Sequence, residues 1–254
     1  MQELLKKIDF YKDYYDKSFA LSREQLENLK DYYRVSLTYS SNAIEGNTLT
    51  LSETQVVIEE GITVGGKTLR EHNEAYGHGK AFDFMVEIAK GQGNVVTEEN
   101  LLALHRLFYQ KIDEEHAGKY KTEQNFIVGS EHATTPPDKV PDAVKKMVMW
   151  AEKNQKKLHP VEFAAVIHNK IVDIHPFADG NGRTARLLLN LILLNKGYFI
   201  VTIPPVLRHE YISSIEKSRR QGNAAAMTEF IGECELESIR DRYRLLGEKL
   251  PTYK

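Results

Sequence analysis

The 254-residue sequence has a single cysteine and almost no net charge. One cysteine, Cys234, cannot form a disulfide within the chain, so we expect a buried thiol in a reducing compartment. With 34 basic and 36 acidic residues, the formal net charge is -2. This balance provides no global basic field for nucleic acid or an anionic membrane, so we predict a cytoplasmic protein that binds neither.

The sequence also lacks a long uninterrupted apolar segment. Its most hydrophobic stretch, residues 187–203, contains Asn190, Asn195 and Lys196, which a membrane span would tolerate poorly. Residues 1–7 carry charge early and have no continuous apolar core, so no signal peptide is expected. These absences indicate a globular chain that is long enough to bury a substantial core.

Most of the chain has apolar residues at the spacing of amphipathic helices. We predict one compact, mainly α unit, in which residues 1–50 form two N-terminal helices and residues 51–254 form the core and the closing helices. Predicted helices cover residues 2–17, 23–44, 69–90, 97–110, 141–157, 160–172, 184–194, 207–220 and 224–246, and another begins near Leu51 with Ser52 as its candidate cap. Residues 118–130 favour a short β-hairpin, and residues 198–205 an extended apolar segment.

One stretch, residues 175–186, concentrates chemically active residue types; it reads His-Pro-Phe-Ala-Asp-Gly-Asn-Gly-Arg-Thr-Ala-Arg. His175 can accept a proton near neutral pH. Asp179 is a hard oxygen ligand of the kind that holds magnesium together with substrate phosphates. Gly180 and Gly182 let the backbone turn and approach a ligand closely. The stretch therefore contains a base, a metal ligand and a turn that can surround an anion.

The helix that follows this turn predicts a phosphate site. The unpaired N–H groups and the dipole at its N-terminus favour an anion. Arg183 and Arg186 lie three residues apart on the first turn, and their forked donors suit phosphate oxygens. The alternative is a solvated surface turn ahead of a core helix, which would leave His175 and both arginines without a role. We therefore predict a site for a nucleoside triphosphate.

Residues 175–186 resemble the His-Pro-Phe-x-Asp-Gly-Asn-Gly-Arg-x-x-Arg signature of Fic-domain proteins and match every fixed position. The similarity runs from about residue 41 to residue 230. It implies a Fic fold and an enzyme that transfers AMP from Mg-ATP to a Ser, Thr or Tyr hydroxyl of a target protein or of itself. Doc-type relatives, which phosphorylate, have a lysine at the position of Gly182, so the glycine favours AMP transfer.

The resemblance also implies a role for each residue of the site. His175 would take the hydroxyl proton, Asp179 would hold Mg²⁺, and Arg186 would bind the γ-phosphate. Tyr211 aligns with a tyrosine that flanks the nucleotide base. Adenine selection stays open, because the usual second tyrosine is Ile212 and an asparagine that contacts adenine is replaced by Arg219. The remaining nucleotide contacts would come from Gly180, Asn181, Gly182 and Arg183.

A second motif lies at residues 41–46, Ser-Asn-Ala-Ile-Glu-Gly, at the predicted end of a helix. Glu45 there faces the negative end of the helix dipole, which costs about 0.3–1 kcal/mol unless a cation offsets it. Ser41, one turn earlier, could position the carboxylate, and a frayed, solvated helix end is the alternative. The motif resembles the inhibitory Ser-x-x-x-Glu-Gly motif of many Fic proteins. The resemblance pairs Glu45 with Arg186, so that the γ-phosphate is excluded.

The predicted hairpin corresponds to the family's flap. Its edge would bind an extended target segment by β-augmentation through Phe126, Ile127, Val128 and Gly129, whereas an ordinary surface hairpin is the alternative. Two other functions stay open: removal of AMP, with Glu45 orienting a water, and a non-catalytic module that senses nucleotide. The target protein, the direction of AMP flow and the oligomeric state, including a homodimer, are open as well.

Overall fold

The computed structural model describes residues 1–127 and 133–253, and these ranges contain ten α-helices. Two 3₁₀ turns and a π-helical turn at Val56–Glu60 accompany them. None of the described helices is long and apolar enough to cross a membrane. In chain order, the helices are α1 (Gln2–Ser18), α2 (Arg23–Ile44), α3 (Leu51–Gln55), α4 (Leu69–Ala89), α5 (Glu98–Tyr109), α6 (Val140–Asn154), α7 (Pro160–Ile174), α8 (Asn181–Asn195), α9 (Arg208–Gln221) and α10 (Ala225–Leu245).

The helix α8 lies at the centre of the fold. All of its residues from Leu187 to Leu193 are buried. Helices α7, α4 and α5 pack against it, α2 packs on α4 and α8, and α10 contacts α7, α9 and α1. One apolar core joins residues from α1 and α2, such as Ile8 and Leu37, to Tyr243 of α10. The helix that carries the signature arginines is therefore held on several sides.

The predicted cap of α3 is wrong. The N-cap is Thr50, whose hydroxyl accepts a hydrogen bond from the Glu53 N–H, while the Glu53 carboxylate accepts one from the Thr50 N–H. Ser52 lies inside the helix. A reciprocal capping box satisfies two main-chain donors at once, which explains why the helix begins at this threonine.

No β-strand occurs in the described ranges, so the predicted hairpin is wrong over residues 118–127. Side chains and an adjacent loop bind this backbone instead. The Asn125 carbonyl accepts the Thr134 hydroxyl at 2.8 Å, and the Lys121 N–H donates to the Pro176 carbonyl at 2.9 Å. Because these groups already have partners, a facing strand is not needed.

Only part of the predicted target-binding segment is described. Phe126 is 82% exposed, and Ile127 is partly exposed. Val128 and Gly129 lie outside the described residues.

Residues 198–204 follow α8 without regular structure and bury apolar side chains. Two side chains satisfy their backbone. The Asn190 amide exchanges hydrogen bonds with the main chain of Val201, at 2.7 and 3.0 Å, and Glu235 accepts the Phe199 N–H at 2.9 Å. Burial raises the pKa of Glu235 to about 8. The predicted extended segment is therefore held by side chains, and no strand in the described part of the chain pairs with it.

Gly77 fixes the approach of α4 to α5. A Cβ at this position would overlap the main-chain carbonyl of Phe108, whereas a Cβ at Gly79 on the same helix would make ordinary contacts at 3.6 Å. We expect Gly77→Ala to lower the free energy of unfolding by about 1–3 kcal/mol, because a backbone cannot yield as a side chain does. Gly79→Ala should be neutral or stabilising by up to ~1 kcal/mol through helix propensity. Urea unfolding of both variants measures the difference, and equal stabilities would contradict the assignment.

Candidate active site

The loop between α7 and α8 carries the first half of the signature. His175 ends α7 with φ 53°, and it is the one non-glycine residue with positive φ among the described residues. The Asn181 side chain closes the loop, since its oxygen accepts the Phe177 N–H and its amide donates to the Phe177 carbonyl, both at 2.9 Å. The Asn181 side chain, predicted to contact nucleotide, therefore holds the loop.

The N-terminus of α8 has the form of an anion site. Gly180 is the N-cap with φ 78°, and the first intrahelical bond joins the Thr184 N–H to the Gly180 carbonyl. The N–H groups of residues 181–183 precede that bond, so they can donate to a ligand. A Cβ at Gly180 would come within 2.9 Å of Phe108. Glycine is thus required there by both space and backbone angle.

His175 is arranged to act as a base. Burial is the main cause that lowers its pKa to about 4, so the ring is neutral at pH 7. Nδ1 lies 3.3 Å from the Val172 carbonyl. A carbonyl only accepts, so the proton is on Nδ1 and Nε2 presents a lone pair. The ring can therefore take a proton without first losing one.

Asp179 lies at the start of the anion site with 45% of its side chain exposed. Oδ1 accepts the Gly180 N–H at 2.6 Å, and Oδ2 accepts Arg70 Nη2 at 2.6 Å. Burial opposes ionisation, but Arg183, the Gly180 N–H and Arg70 outweigh it and lower the pKa of Asp179. The described residues contain no group of three His, Cys, Asp or Glu side chains that could hold a metal. Asp179 is a single carboxylate that already binds a cationic side chain. One such ligand fits Mg²⁺, which takes its other ligands from phosphate and water.

Arg183 is almost completely buried, with 4% of its side chain exposed. Nη1 lies 3.0 Å from Glu74 Oε1, Nη2 lies 3.7 Å from Asp179 Oδ1, and the guanidinium stacks 4.6 Å from the Phe108 ring centroid. Such contacts fix the side chain in one position. Glu74, which the sequence did not single out, thus positions the first signature arginine.

Arg186 binds the end of α2. Nη2 contacts Glu45 Oε1 at 2.7 Å and the Ser41 carbonyl at 2.8 Å, and Nε donates to the Ser41 hydroxyl at 3.0 Å. Nη1 donates to the Tyr211 hydroxyl at 3.3 Å. The expected contact between Ser41 and the carboxylate is replaced by a contact with the arginine, because the guanidinium lies between them. Gly182 leaves room for this arrangement, since a Cβ there would overlap Glu45 Oε1.

The structure places Tyr211 in contact with Arg186. Its side chain is buried, and its hydroxyl also contacts His168 Nε2 at 2.7 Å. Contact of Tyr211 with the nucleotide base therefore stays a prediction. Ile212 is 41% exposed, and Arg219 pairs with Asp173 at 2.5 Å and with Glu216.

Sequence reasoning missed several residues that contact the site. His105 Nδ1 accepts the Gly118 N–H, so its Nε2 donates to the Asp179 carbonyl at 3.1 Å, and its ring stacks on Phe177 at 3.7 Å. Arg208 donates to the Ile44 carbonyl at the end of α2. These partners lie far from the signature in sequence. No local motif could have revealed them.

Comparisons with known proteins agree on one family. The sequence profile of the Fic/DOC family matches residues 95–193. "Protein adenylyltransferase Fic" from Nematostella vectensis is 35% identical over 244 residues, which cover 94% of this chain and 55% of that protein. The protein of the same name from Drosophila mojavensis is 36% identical over 214 residues, covering 84% and 42%. The chain therefore spans about half the length of the curated relatives it matches.

Solved structures extend the similarity to the whole described fold. Fic-1 from C. elegans superposes with a TM-score of 0.84 at 29% identity, over 97% of this chain and 72% of that chain. A Fic domain containing signaling protein from Bacteroides thetaiotaomicron gives a TM-score of 0.86 at 25% identity, over 98% of this chain and all of that chain. The N-terminal helices are thus included in the matched fold.

Proposed function

The chain belongs to the Fic/DOC family, and from that premise we propose that it is a protein adenylyltransferase that uses Mg-ATP. The observation that carries the proposal is the position of a neutral His175 directly before the anion site of α8. A base and an anion site at one loop can bring a hydroxyl and a phosphate together. The relatives named protein adenylyltransferase support this activity.

In the proposed reaction, the target hydroxyl oxygen attacks the α-phosphorus of ATP while His175 Nε2 takes its proton. The new O–P bond forms as the bond from the α-phosphorus to the bridging oxygen breaks, and pyrophosphate leaves. The N–H groups of residues 181–183 and the Arg183 guanidinium stabilise the charge on the phosphates. Asp179 would hold Mg²⁺, which neutralises phosphate charge when bound.

We assign an inhibitory role to Glu45 through its contact with Arg186. Arg186 is a buried cation at this end of α8, and Glu45 occupies the donor that a γ-phosphate would need. ATP would therefore have to displace the carboxylate before its phosphates lie in the productive position. Displacing Glu45 would leave the Arg186 contacts with Ser41 and Tyr211 in place, because these contacts do not involve Glu45.

The target would pass along residues 125–127, which lie beside the signature loop. Asn125 donates to the Phe177 carbonyl at 2.9 Å, which holds this segment beside the signature loop. Phe126 is exposed there and offers an apolar contact for a target chain. We propose that this apolar contact, and not strand pairing, binds the target chain.

Intact-mass spectrometry tests the activity. The protein is incubated with Mg-ATP, alone and with cell lysate, and the expected result is a mass gain of one AMP on a target or on the protein itself. Parallel reactions with ATP labelled at the α- or the γ-phosphate distinguish AMP transfer from phosphorylation. Binding of ATP without any transfer of label would instead indicate a nucleotide-sensing module.

Removal of AMP is a second candidate, favoured by the position of Glu45 next to Gly182 at the anion site. A carboxylate there could orient a water toward phosphorus. An AMP-modified target should then lose its AMP with the wild-type protein and keep it with Glu45→Gln. Loss of AMP with both proteins would exclude Glu45 from that reaction.

A variant at Arg183 tests whether this arginine contacts the phosphates that ADP and ATP share. We expect Arg183→Gln to weaken ADP binding as well as ATP binding, because Arg183 lies at the first turn of α8. A lost charge-assisted hydrogen bond is worth about 1.5–3 kcal/mol, or about 10- to 100-fold in affinity. Calorimetry with both nucleotides measures the effect. Unchanged ADP affinity would place the phosphates elsewhere.

A further inference from the structure

Arg70 of α4 binds the carboxylate that is proposed to hold magnesium. Its Nη2 lies 2.6 Å from Asp179 Oδ2, although the two residues are 109 positions apart in sequence. The Tyr109 hydroxyl lies 3.4 Å from the same oxygen. The other oxygen, Oδ1, accepts the Gly180 N–H. Both oxygens of Asp179 therefore have donors before any metal binds.

Four side chains of alternating charge form a closed ring around this contact, which we name the ion-pair ring. Glu74 Oε1 lies 3.2 Å from Arg70 Nε and 3.0 Å from Arg183 Nη1, and Arg183 Nη2 lies 3.7 Å from Asp179 Oδ1. The ring contains two guanidiniums and two carboxylates. Arg70 therefore balances the charge of Asp179 in this arrangement.

The two arginines of the ion-pair ring differ in their freedom to move. Arg183 is buried beneath Phe108, whereas 56% of the Arg70 side chain is exposed. Because it is exposed, the Arg70 guanidinium can exchange its contact with Asp179 for contacts with water. A divalent cation on Oδ2 would lie within a few ångströms of the guanidinium, and like charges at that distance repel each other. Arg70 and a metal ion therefore cannot share Asp179 Oδ2.

We propose that Arg70 is an internal cation that competes with magnesium for Asp179 and thereby sets the metal concentration at which the site is loaded. Arg70 is a positioning residue in this role, because it acts through Asp179 and touches neither the base nor the reacting phosphorus. The inference rests on the proposed function only in assigning the metal to Asp179. The ion-pair ring is its structural basis.

Binding of Mn²⁺, followed by electron paramagnetic resonance in the presence of saturating ADP, tests the proposal. ADP is used because it lacks the γ-phosphate that would compete with Glu45. We expect Arg70→Gln to lower the half-saturating Mn²⁺ concentration by about two- to fivefold, the effect of removing a partly exposed ion pair. Arg70→Lys keeps the charge and should remain close to wild type. An unchanged or higher half-saturating concentration in Arg70→Gln would overturn the proposal.

A double variant locates the effect. In an Asp179→Asn background, Arg70→Gln should leave Mn²⁺ binding unchanged, because the carboxylate for which Arg70 and the metal compete is gone. A persistent shift would show that Arg70 acts elsewhere and overturn the proposal. Thermal unfolding of each variant checks that the fold is retained. Failure of the metal competition and failure of the proposed activity are distinguishable, since Mn²⁺ binding does not require AMP transfer. A wild-type protein that binds Mn²⁺ and ADP but transfers nothing would refute the activity and not the competition.

Discussion

Replacing Glu45 with glycine is expected to increase AMP transfer by about 5- to 150-fold, the range of a coupling free energy of 1–3 kcal/mol. Glu45 Oε1 lies 2.7 Å from Arg186 Nη2, so the glycine frees the donor that we propose the γ-phosphate needs. A ligand that competes with Glu45 shifts the population only by its differential affinity for the open state. ATP binding should therefore tighten in Glu45→Gly, and ADP binding should not.

The fold should survive this substitution. Arg186 keeps its bonds to Ser41 and to the Tyr211 hydroxyl, so the buried guanidinium is not left alone. The Glu45 side chain is 35% exposed, so the lost pair is screened and stability should fall by about 1 kcal/mol or less. Loss of an acidic group from the C-terminus of α2 partly offsets this cost.

The restraint should be intact at neutral pH. Burial opposes ionisation of Glu45, but Arg186 and Arg183 outweigh it and lower its pKa below the ordinary value of 4.5. A carboxylate with a lowered pKa contributes its stability above pH 4.5 and loses it as the pH falls through the lower folded-state pKa. The ion pair is therefore fully formed under the conditions of an ordinary transfer assay.

Two measurements check the Glu45 prediction: calorimetry of ATP and ADP binding, and transfer of radiolabelled AMP. Glu45→Gln is the matched variant, because it keeps the size of the side chain and removes its charge, so an intermediate increase in transfer is expected. If the transfer rate and the ratio of ATP to ADP affinity are both unchanged in Glu45→Gly, the contact of Glu45 with Arg186 is structural and Glu45 does not inhibit transfer.

The extent to which sequence predicted this molecule depends on the distance between interacting residues. The signature loop was predictable because His175, Asp179 and Arg183 are neighbours in the chain, and hydrophobic periodicity predicted most helices. Arg70 and Glu74 were not predicted, because they reach the site only through the packing of α4 against α8. Apolar periodicity indicates which face of α4 is buried, but not which charged side chains meet across the interface.

The wrong hairpin has a different cause. Aromatic and β-branched residues near Phe126 are typical of strands, but that propensity depends on a partner strand being available. Here the Thr134 hydroxyl donates to the Asn125 carbonyl, and the Asn125 side chain donates to the Phe177 carbonyl of the signature loop. Polar side chains that bind main chain in this way are not visible in a hydrophobic pattern.

The largest loss of activity is expected for His175→Ala, which should reduce AMP transfer by at least ~100-fold while ATP still binds. General acid–base catalysis contributes about 10²- to 10⁴-fold, and the histidine is placed to provide it, since its Nε2 is an acceptor and its ring is neutral. In the proposed mechanism, the phosphate contacts come from α8 and do not require the imidazole. Calorimetry with ATP and a transfer assay separate the two effects.

The backbone of His175 complicates a simple alanine variant, because φ is 53° and alanine is strained in that left-handed conformation by about 1–2 kcal/mol. His175→Asn is the matched control, since asparagine tolerates these angles but cannot act as a base. Both variants should lose transfer, and only His175→Ala should also lose stability.

In the wild type, NMR titration of the ring should give a midpoint near the pKa of about 4 set mainly by burial. Because a lowered pKa keeps the base form present above pH 4, the ring should stay neutral between pH 5 and pH 7, where an ordinary histidine would become charged. Transfer by His175→Asn at the wild-type rate would remove His175 from the mechanism, whatever the titration shows.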